Sequence, residues 1–396
     1  MHEIYLVYER TNAKGRPLRL WHSDGLPSPL DENLGFDARL SWRQIDGIAA
    51  GHRWIYELEH RHDRIQYTDG DQLEPLLRRQ HLMDGVARGD GYLLVNLSFE
   101  AQIPDYVTRI RSHIEDLGIG SDRVIWATGS HDAAAQVDRY ALGMRPMIMR
   151  ASESMSAFWL RDRVSPLPTR QVQKRFICFM RRFRPHRFQL LAHLQDRGLL
   201  QHAYVSFGRH VEGMDALETA VAQCDSLPDG DRVINSIREI YDRLPFVVDQ
   251  VDANINLCET QLADATLHHH MTSGISIVAE TMFHASYRFL SEKTYHPIRY
   301  LQPFIMVGPA GNLAALRADG YETFGDFWDE SYDTIADNHL RMMAVMDLVQ
   351  DVAGWSAERF DRFMRDSAGV CAHNLRLLQA CHQRRDHTAD LSSLWS

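Results

Sequence analysis

Apolar residues in this 396-residue chain gather in short unbroken runs, separated by longer stretches with helical spacing. Tyr92-Leu93-Leu94-Val95-Asn96-Leu97 is a run that suits a buried strand. Residues 104–117 behind it place apolar side chains at helical intervals. The same strand signal returns at 123–129, 175–180 and 203–207, and the opening segment 1–9 reads as a first strand. Strands alternating with helices predict parallel α/β layers.

Between these blocks, residues 160–173 carry Pro166 and Pro168 among polar residues and read as a linker. A helix is expected from about Pro185, and Pro228-Asp229-Gly230 marks a turn within the polar stretch 210–245. The best-organised region is 274–325. There, strand 275–280 ends in Glu280, a loop runs to Ser291-Glu292-Lys293-Thr294, and a strand at 303–308 is followed by a short helix closed by Gly320. Residues 338–383 are helical in pattern, interrupted only at Gly354 and Gly369. The expected organisation is an N-terminal Rossmann-like domain over 1–165, a second over 174–340, and C-terminal helices over 341–396 that fold back on the first domain.

Length supports two domains, since a single core rarely grows to this size. The net charge of −10, from 43 basic and 53 acidic residues, argues against a global attraction to nucleic acid or anionic lipid. Cys178, Cys224, Cys258, Cys371 and Cys381 are odd in number and widely spaced, which favours reduced thiols and a cytoplasmic location. The N-terminus lacks the features of a signal peptide, and no apolar run reaches the ~20 residues of a membrane span.

Candidate chemistry begins at Arg181-Arg182-Phe183-Arg184-Pro185-His186-Arg187, between a strand and a helix. Pro185 suits the first helical turn. Arg181, Arg184 and Arg187 then lie at a helix N-terminus, where free N–H groups already favour an anion and guanidinium groups add bidentate phosphate contacts. A solvated basic turn would show the same composition. Glu280 ends a strand and Ser291 is a good N-cap. Glu292 could accept the two hydroxyls of a ribose and Lys293 could neutralise a diphosphate, although ordinary capping and a surface ion pair would read alike. Glu100 and His131-Asp132 follow the strands at 92–97 and 123–129, and Glu100 or His131 could deprotonate an acceptor hydroxyl. His268-His269-His270 share no face and have no third ligand type nearby, so no metal site is expected. Asp326, Asp329, Glu330 and Asp333 stand among Phe324, Phe327, Trp328 and Tyr332, which suits a solvated turn over core aromatics better than a sugar contact.

The stretch Val278-Ala279-Glu280, Phe289-Leu290-Ser291-Glu292-Lys293-Thr294 and Gln302-Pro303-Phe304-Ile305 resembles the donor-binding motif of the α-1,3-fucosyltransferases. It also resembles related bacterial and phage glycosyltransferase-like proteins. The resemblance covers roughly residues 174–335. It implies an α/β fold of the GT-B type, with two Rossmann-like domains, an interdomain cleft and a C-terminal helical segment. It implies a metal-independent, nucleotide-sugar-dependent glycosyltransferase with no cofactor beyond that co-substrate and a glycan or small-molecule acceptor. Glu292 would bind the ribose and Lys293 the phosphates, with Ser291 beside them in the donor site, Arg184 or Arg187 would bind the diphosphate, and Glu280 would be a catalytic residue near the donor sugar. Pro297, five residues after Glu292, departs from the motif and should kink or delay the helix. Two other readings keep part of this: a phage-type enzyme glycosylating a modified DNA base, and a nucleotide-binding module without catalysis. If Glu100 is the base, Glu100→Gln should leave nucleotide affinity intact and lower turnover; normal turnover in that variant would remove it from the role.

Overall fold

The structure, a computed structural model, describes residues 4–8, 38–41, 53–59, 80–97, 104–139, 142–148, 169–180, 184–208, 218, 221, 222, 224, 230–244, 246 and 266–384. The chain divides into two compact units, residues 1–158 with 380–396, and residues 159–379. Each has its own parallel sheet. Glu100 and Arg181 lie outside the described residues.

In the first unit the strands are β1 (Ile4–Tyr8), β2 (Ala38–Ser41), β3 (Arg53–Glu59), β4 (Tyr92–Leu97), β5 (Val124–Thr128) and β6 (Arg145–Ile148). They pair in the order β2-β1-β3-β4-β5-β6, all parallel. Three helices accompany them: α1 (Gln80–Arg88), α2 (Pro104–Asp116) and α3 (Ala133–Arg139). Leu93, Leu94, Val124, Trp126 and Ala127 are buried, as a sheet covered on both faces requires.

The second unit contains β7 (Lys174–Met180), β8 (Ala203–Phe207), β9 (Ser273–Ala279) and β10 (Phe304–Val307), in the order β10-β9-β7-β8 and again all parallel. All seven residues of β9 are buried. The helices are α4 (Pro185–Asp196), α5 (Gly230–Tyr241), α6 (Glu292–Arg299), α7 (Asn312–Ala318), α8 (Asn338–Ala353), α9 (Ala357–Asp366) and α10 (Ala368–Arg384). Helix α4 is buried from His186 to Leu194 and packs against α5 and α8. The two sheets start alike: the second strand lies on one side of the first, and the third lies on the other.

The expected helical stretch 338–383 is three helices, and residues up to 379 belong to the second unit. The first break falls at Gly354 as expected. The second falls at Ser367, while Gly369 is accommodated inside α10. Phe360 of α9 is seated on β9 at Gly274, where a Cβ would lie 2.4 Å from its ring. The Arg175 guanidinium covers that ring at 4.8 Å and donates to the Trp355 carbonyl at 2.6 Å. Helix α8 is tied down by Arg341, which is 2% exposed. Its guanidinium donates to the carbonyls of Gly308 (3.0 Å), Ile335 (2.7 Å), Ala336 (3.2 Å) and Phe283 (2.8 Å), and to Asn338 Oδ1 (2.6 Å).

The acidic-aromatic segment is structural. Asp333, 3% exposed, accepts from the Leu313 and Ala314 amides at 2.9 and 3.0 Å and so caps α7 from outside. Glu330 accepts from the Phe324 amide, Thr323 and Arg317. The exposed Asp329 carboxylate takes the amide and hydroxyl of Ser331, and those bonds hold its carboxyl below the usual range. Phe324, Trp328 and Tyr332 are core residues. The histidine run is helical over 266–271, and its rings pack among aromatic neighbours. His269 meets the rings of Phe179 and Tyr204, whereas His270 stacks on Tyr300 and bonds Gln302 Oε1 at 2.9 Å. Among the described residues no helix is long and apolar enough to cross a membrane.

Arg341→Ala would leave several buried carbonyls without a donor. A loss of about 3 kcal/mol or more is expected in urea unfolding; a loss below about 1 kcal/mol would show that the carbonyls find other partners.

Candidate anion site at the carboxyl ends of β7 and β9

From β7 the chain goes to β8 on one side, then returns to β9 on the other. The sheet's switch of direction therefore lies between β7 and β9. The connections leaving two such strands diverge, one to each face, and leave a crevice beyond their carboxyl ends where ligands of open α/β sheets bind. The arginine turn follows β7, and the Glu280 loop with Ser291-Glu292-Lys293 follows β9. Motifs far apart in sequence are thus brought to the carboxyl ends of neighbouring strands.

Arg184 is the N-cap residue of α4, in extended conformation, with Pro185 in the first turn as expected. Arg187, one turn in, is only 2% exposed. Its Nη2 donates to the Glu280 carbonyl at 3.0 Å. Burial pushes its guanidinium down to about 10, and the neighbouring Arg184 charge adds to that, against the pull of Glu292, Glu280 and Cys178.

His186, part of the arginine turn but given no role in the sequence, has its Nε2 2.9 Å from the same carbonyl. A carbonyl only accepts, so Nε2 carries the proton. The imidazole stacks on Phe283 at 5.6 Å, and Arg341 covers Phe283 at 4.4 Å. Burial, then the charge of Arg187, hold His186 well below its ordinary value, so the ring is neutral.

Ser291 caps α6 by accepting from the Lys293 amide at 3.3 Å, as its position in the sequence suggested. The helix starts at Glu292 without delay. Pro297 sits inside it and has no N–H to give the Lys293 carbonyl one turn back, and the helix stops two residues later at Arg299. The turn that follows puts Leu301 at φ 51°, and the Gln302 amide closes it on the Pro297 carbonyl at 2.9 Å.

Glu292 and Lys293 bond one another directly, and Lys293 Nζ also donates to Thr281 Oγ1 at 3.3 Å. Burial alone would raise the Glu292 carboxyl; the Lys293 ammonium outweighs it and, with His296, brings the group down to about 2. The Glu292–Lys293 ion pair is partly open at the start of α6, and the Glu292 carboxylate acts on the Arg187 guanidinium.

The Glu280 carboxylate is fully buried. It accepts from the Thr281 amide (3.0 Å), the Ser291 amide (3.1 and 3.3 Å), the Ser291 hydroxyl (2.5 Å) and the Thr294 hydroxyl. It is turned to the chain's own donors, although the sequence reading put it beside the donor sugar. Thr281 and Thr294 were missed as its partners. Thr294 could have been found, because it lies one turn from Ser291 on the same helix face.

His131 follows β5 in the first unit, in the turn Ser130-His131-Asp132. The Ser130 hydroxyl accepts from the Asp132 amide there at 3.2 Å.

No family model and no curated protein matches this chain. Among solved structures it is similar to the DNA-modifying enzyme β-glucosyltransferase, whose structure is known with and without uridine diphosphoglucose. The identity is 9% over 100% of both chains, with a TM-score of 0.47. Membership of the α-1,3-fucosyltransferase family is not shown by these comparisons.

His186 and His270 are buried and neutral in the fold, His270 near 3 because of burial foremost. In the unfolded chain each takes up a proton below about pH 6.5. Their depressed values stabilise the fold above 6.5, and that contribution falls as the pH drops, by about 1.4 kcal/mol per pH unit per histidine. Urea unfolding between about pH 7 and pH 5 should show this slope, and His270→Gln should flatten it. An unchanged slope in that variant would contradict the assignment.

Proposed function

We propose that this chain is a glycosyltransferase whose second unit binds a nucleotide-sugar donor beyond the carboxyl ends of β7 and β9. The observation that carries the reading is the meeting of two charged motifs at the one switch point of that sheet. Glu292 is positioned to accept the ribose hydroxyls. Lys293, the N-termini of α4 and α6, and Arg181, Arg184 and Arg187 supply positive potential for the diphosphate. In transfer, the acceptor oxygen bonds to the anomeric carbon as the bond from that carbon to the diphosphate oxygen breaks. Positive charge already in place stabilises the leaving diphosphate, so the chemistry needs no metal. The acceptor proton goes to a base, for which Glu100 and His131 are the candidates.

Part of this electrostatic work is done before ligand arrives. Lys293 is held by Glu292 and Thr281, so a nucleotide competes with a pair that is already satisfied. Binding exchanges that pair for ribose–carboxylate and phosphate–ammonium contacts, with no new buried charge to solvate. A glycan hydroxyl and a hydroxyl on a modified DNA base are the two acceptor classes to test. The β-glucosyltransferase supplies a DNA substrate to try.

A thermal-shift panel of nucleoside diphosphates and their sugar conjugates should single out one nucleotide, since a ligand of the folded state raises its melting temperature. Lys293→Ala should weaken that nucleotide about tenfold, near 1.4 kcal/mol, by calorimetric titration. Equal affinity in the variant would place the nucleotide elsewhere. Binding without turnover of any conjugate would favour the non-catalytic module.

A further inference from the structure

We propose that Glu280 is a positioning residue that locks the two halves of the candidate donor site to each other and does not itself contact the ligand. This inference rests on the nucleotide reading and deepens it. Glu280 is the residue at which both halves meet. Its carboxylate gathers the Thr281 amide, the Ser291 amide and hydroxyl and the Thr294 hydroxyl, which fixes the start of α6. Its carbonyl gathers His186 Nε2 and Arg187 Nη2, which fixes the start of α4. Its amide donates to the Val307 carbonyl at 2.9 Å, which ties it to β10.

The donors around the carboxylate leave it no free direction. Two amide protons and two hydroxyl protons converge on its two oxygens, close to the acceptor capacity of a buried carboxylate. The wall beside it is closed as well. A Cβ at Gly308 would come within 3.5 Å of the Glu280 Cβ and Cγ and within 2.8 Å of Asn312 Nδ2. Asn312, fully buried, uses that nitrogen to hold the Phe289 carbonyl at 3.0 Å, two residues before Ser291. Reaching a ligand would require Glu280 to abandon a buried amide, and an unmade buried hydrogen bond is costly.

The donor pattern distinguishes charge from shape. In Glu280→Gln, an amide oxygen in place of Oε2 keeps the Thr281 amide, the Ser291 hydroxyl and the 3.3 Å contact to the Ser291 amide, while the amide nitrogen in place of Oε1 donates to Thr294 Oγ1, whose hydroxyl reverses its role. A positioning residue is rescued by this change, whereas a residue whose charge meets ligand is not. The experiment is calorimetric titration of wild type, Glu280→Gln and Glu280→Ala with UDP, GDP, TDP and ADP. Amide hydrogen exchange at Thr281 and Ser291 is measured in parallel. Glu280→Ala should bind at least about tenfold more weakly and lose protection at both amides. Glu280→Gln should keep both the protection and an affinity within about threefold of wild type.

Wild-type affinity in Glu280→Ala would overturn the proposal. So would a Glu280→Gln protein that keeps its protected amides yet binds as weakly as Glu280→Ala, because the carboxylate would then act on ligand directly. Failure of the wild type to bind any nucleotide would remove the donor reading itself, a result distinct from either. If Glu280→Ala does not fold, Thr294→Val removes one of the carboxylate's donors at constant shape. It should weaken the nucleotide about threefold, and an unchanged affinity would again overturn the proposal.

Discussion

A parallel sheet that grows from its first strand in both directions must change direction once, and in residues 159–379 that change lies between β7 and β9. The consequence is geometric before it is chemical. Connections leaving two such strands diverge, so the starts of α4 and α6 come to the same end of the sheet. The arginine turn and the Ser291-Glu292-Lys293 turn are placed by this constraint, not by attraction between them. Their charges then have to be reconciled. The Glu280 carbonyl receives the buried guanidinium and the neutral imidazole, and the Glu280 carboxylate receives the cap of α6.

The chain is acidic overall, yet the arginines that matter most to the second unit are buried. Arg341 binds four carbonyls and one side-chain oxygen, and Arg187 binds one carbonyl. Carbonyls at strand and helix ends are the groups a parallel fold leaves without donors, and a guanidinium can satisfy several at once. This is why arginine recurs at the rim of the sheet. It also separates charges that hold the frame from those still partly open at its edge, chiefly Glu292 and Lys293.

Much of the second unit was legible in the sequence because its strands are largely buried, β9 and β10 entirely, and read as apolar runs. Residues 203–207 match β8 and 275–280 come within two residues of β9. The cap at Ser291 was legible because capping is local. In the first unit, β2, β3 and β6 were missed. β2 and β6 are short edge strands, β6 contains Pro146 and has one buried residue of four, and neither carries an apolar run. β3 mixes Arg53, Glu57 and Glu59 with its apolar residues. The partners of Glu280 and the proton on His186 could not be read, since both depend on which loops the sheet order brings together. Pro297 was read as an obstacle to the helix start; its cost falls instead on the Lys293 carbonyl and on the helix's early end.

The central claim is that a nucleoside diphosphate sits beyond the carboxyl ends of β7 and β9. Hydrogen–deuterium exchange by mass spectrometry, with and without the nucleotide that stabilises the protein most, tests it directly. The account predicts added protection in peptides spanning 181–188 and 280–294, with the first unit's switch strands β1 and β3 unaffected. Protection at β1 and β3 instead, or protection that misses both loops of the second unit, would contradict it.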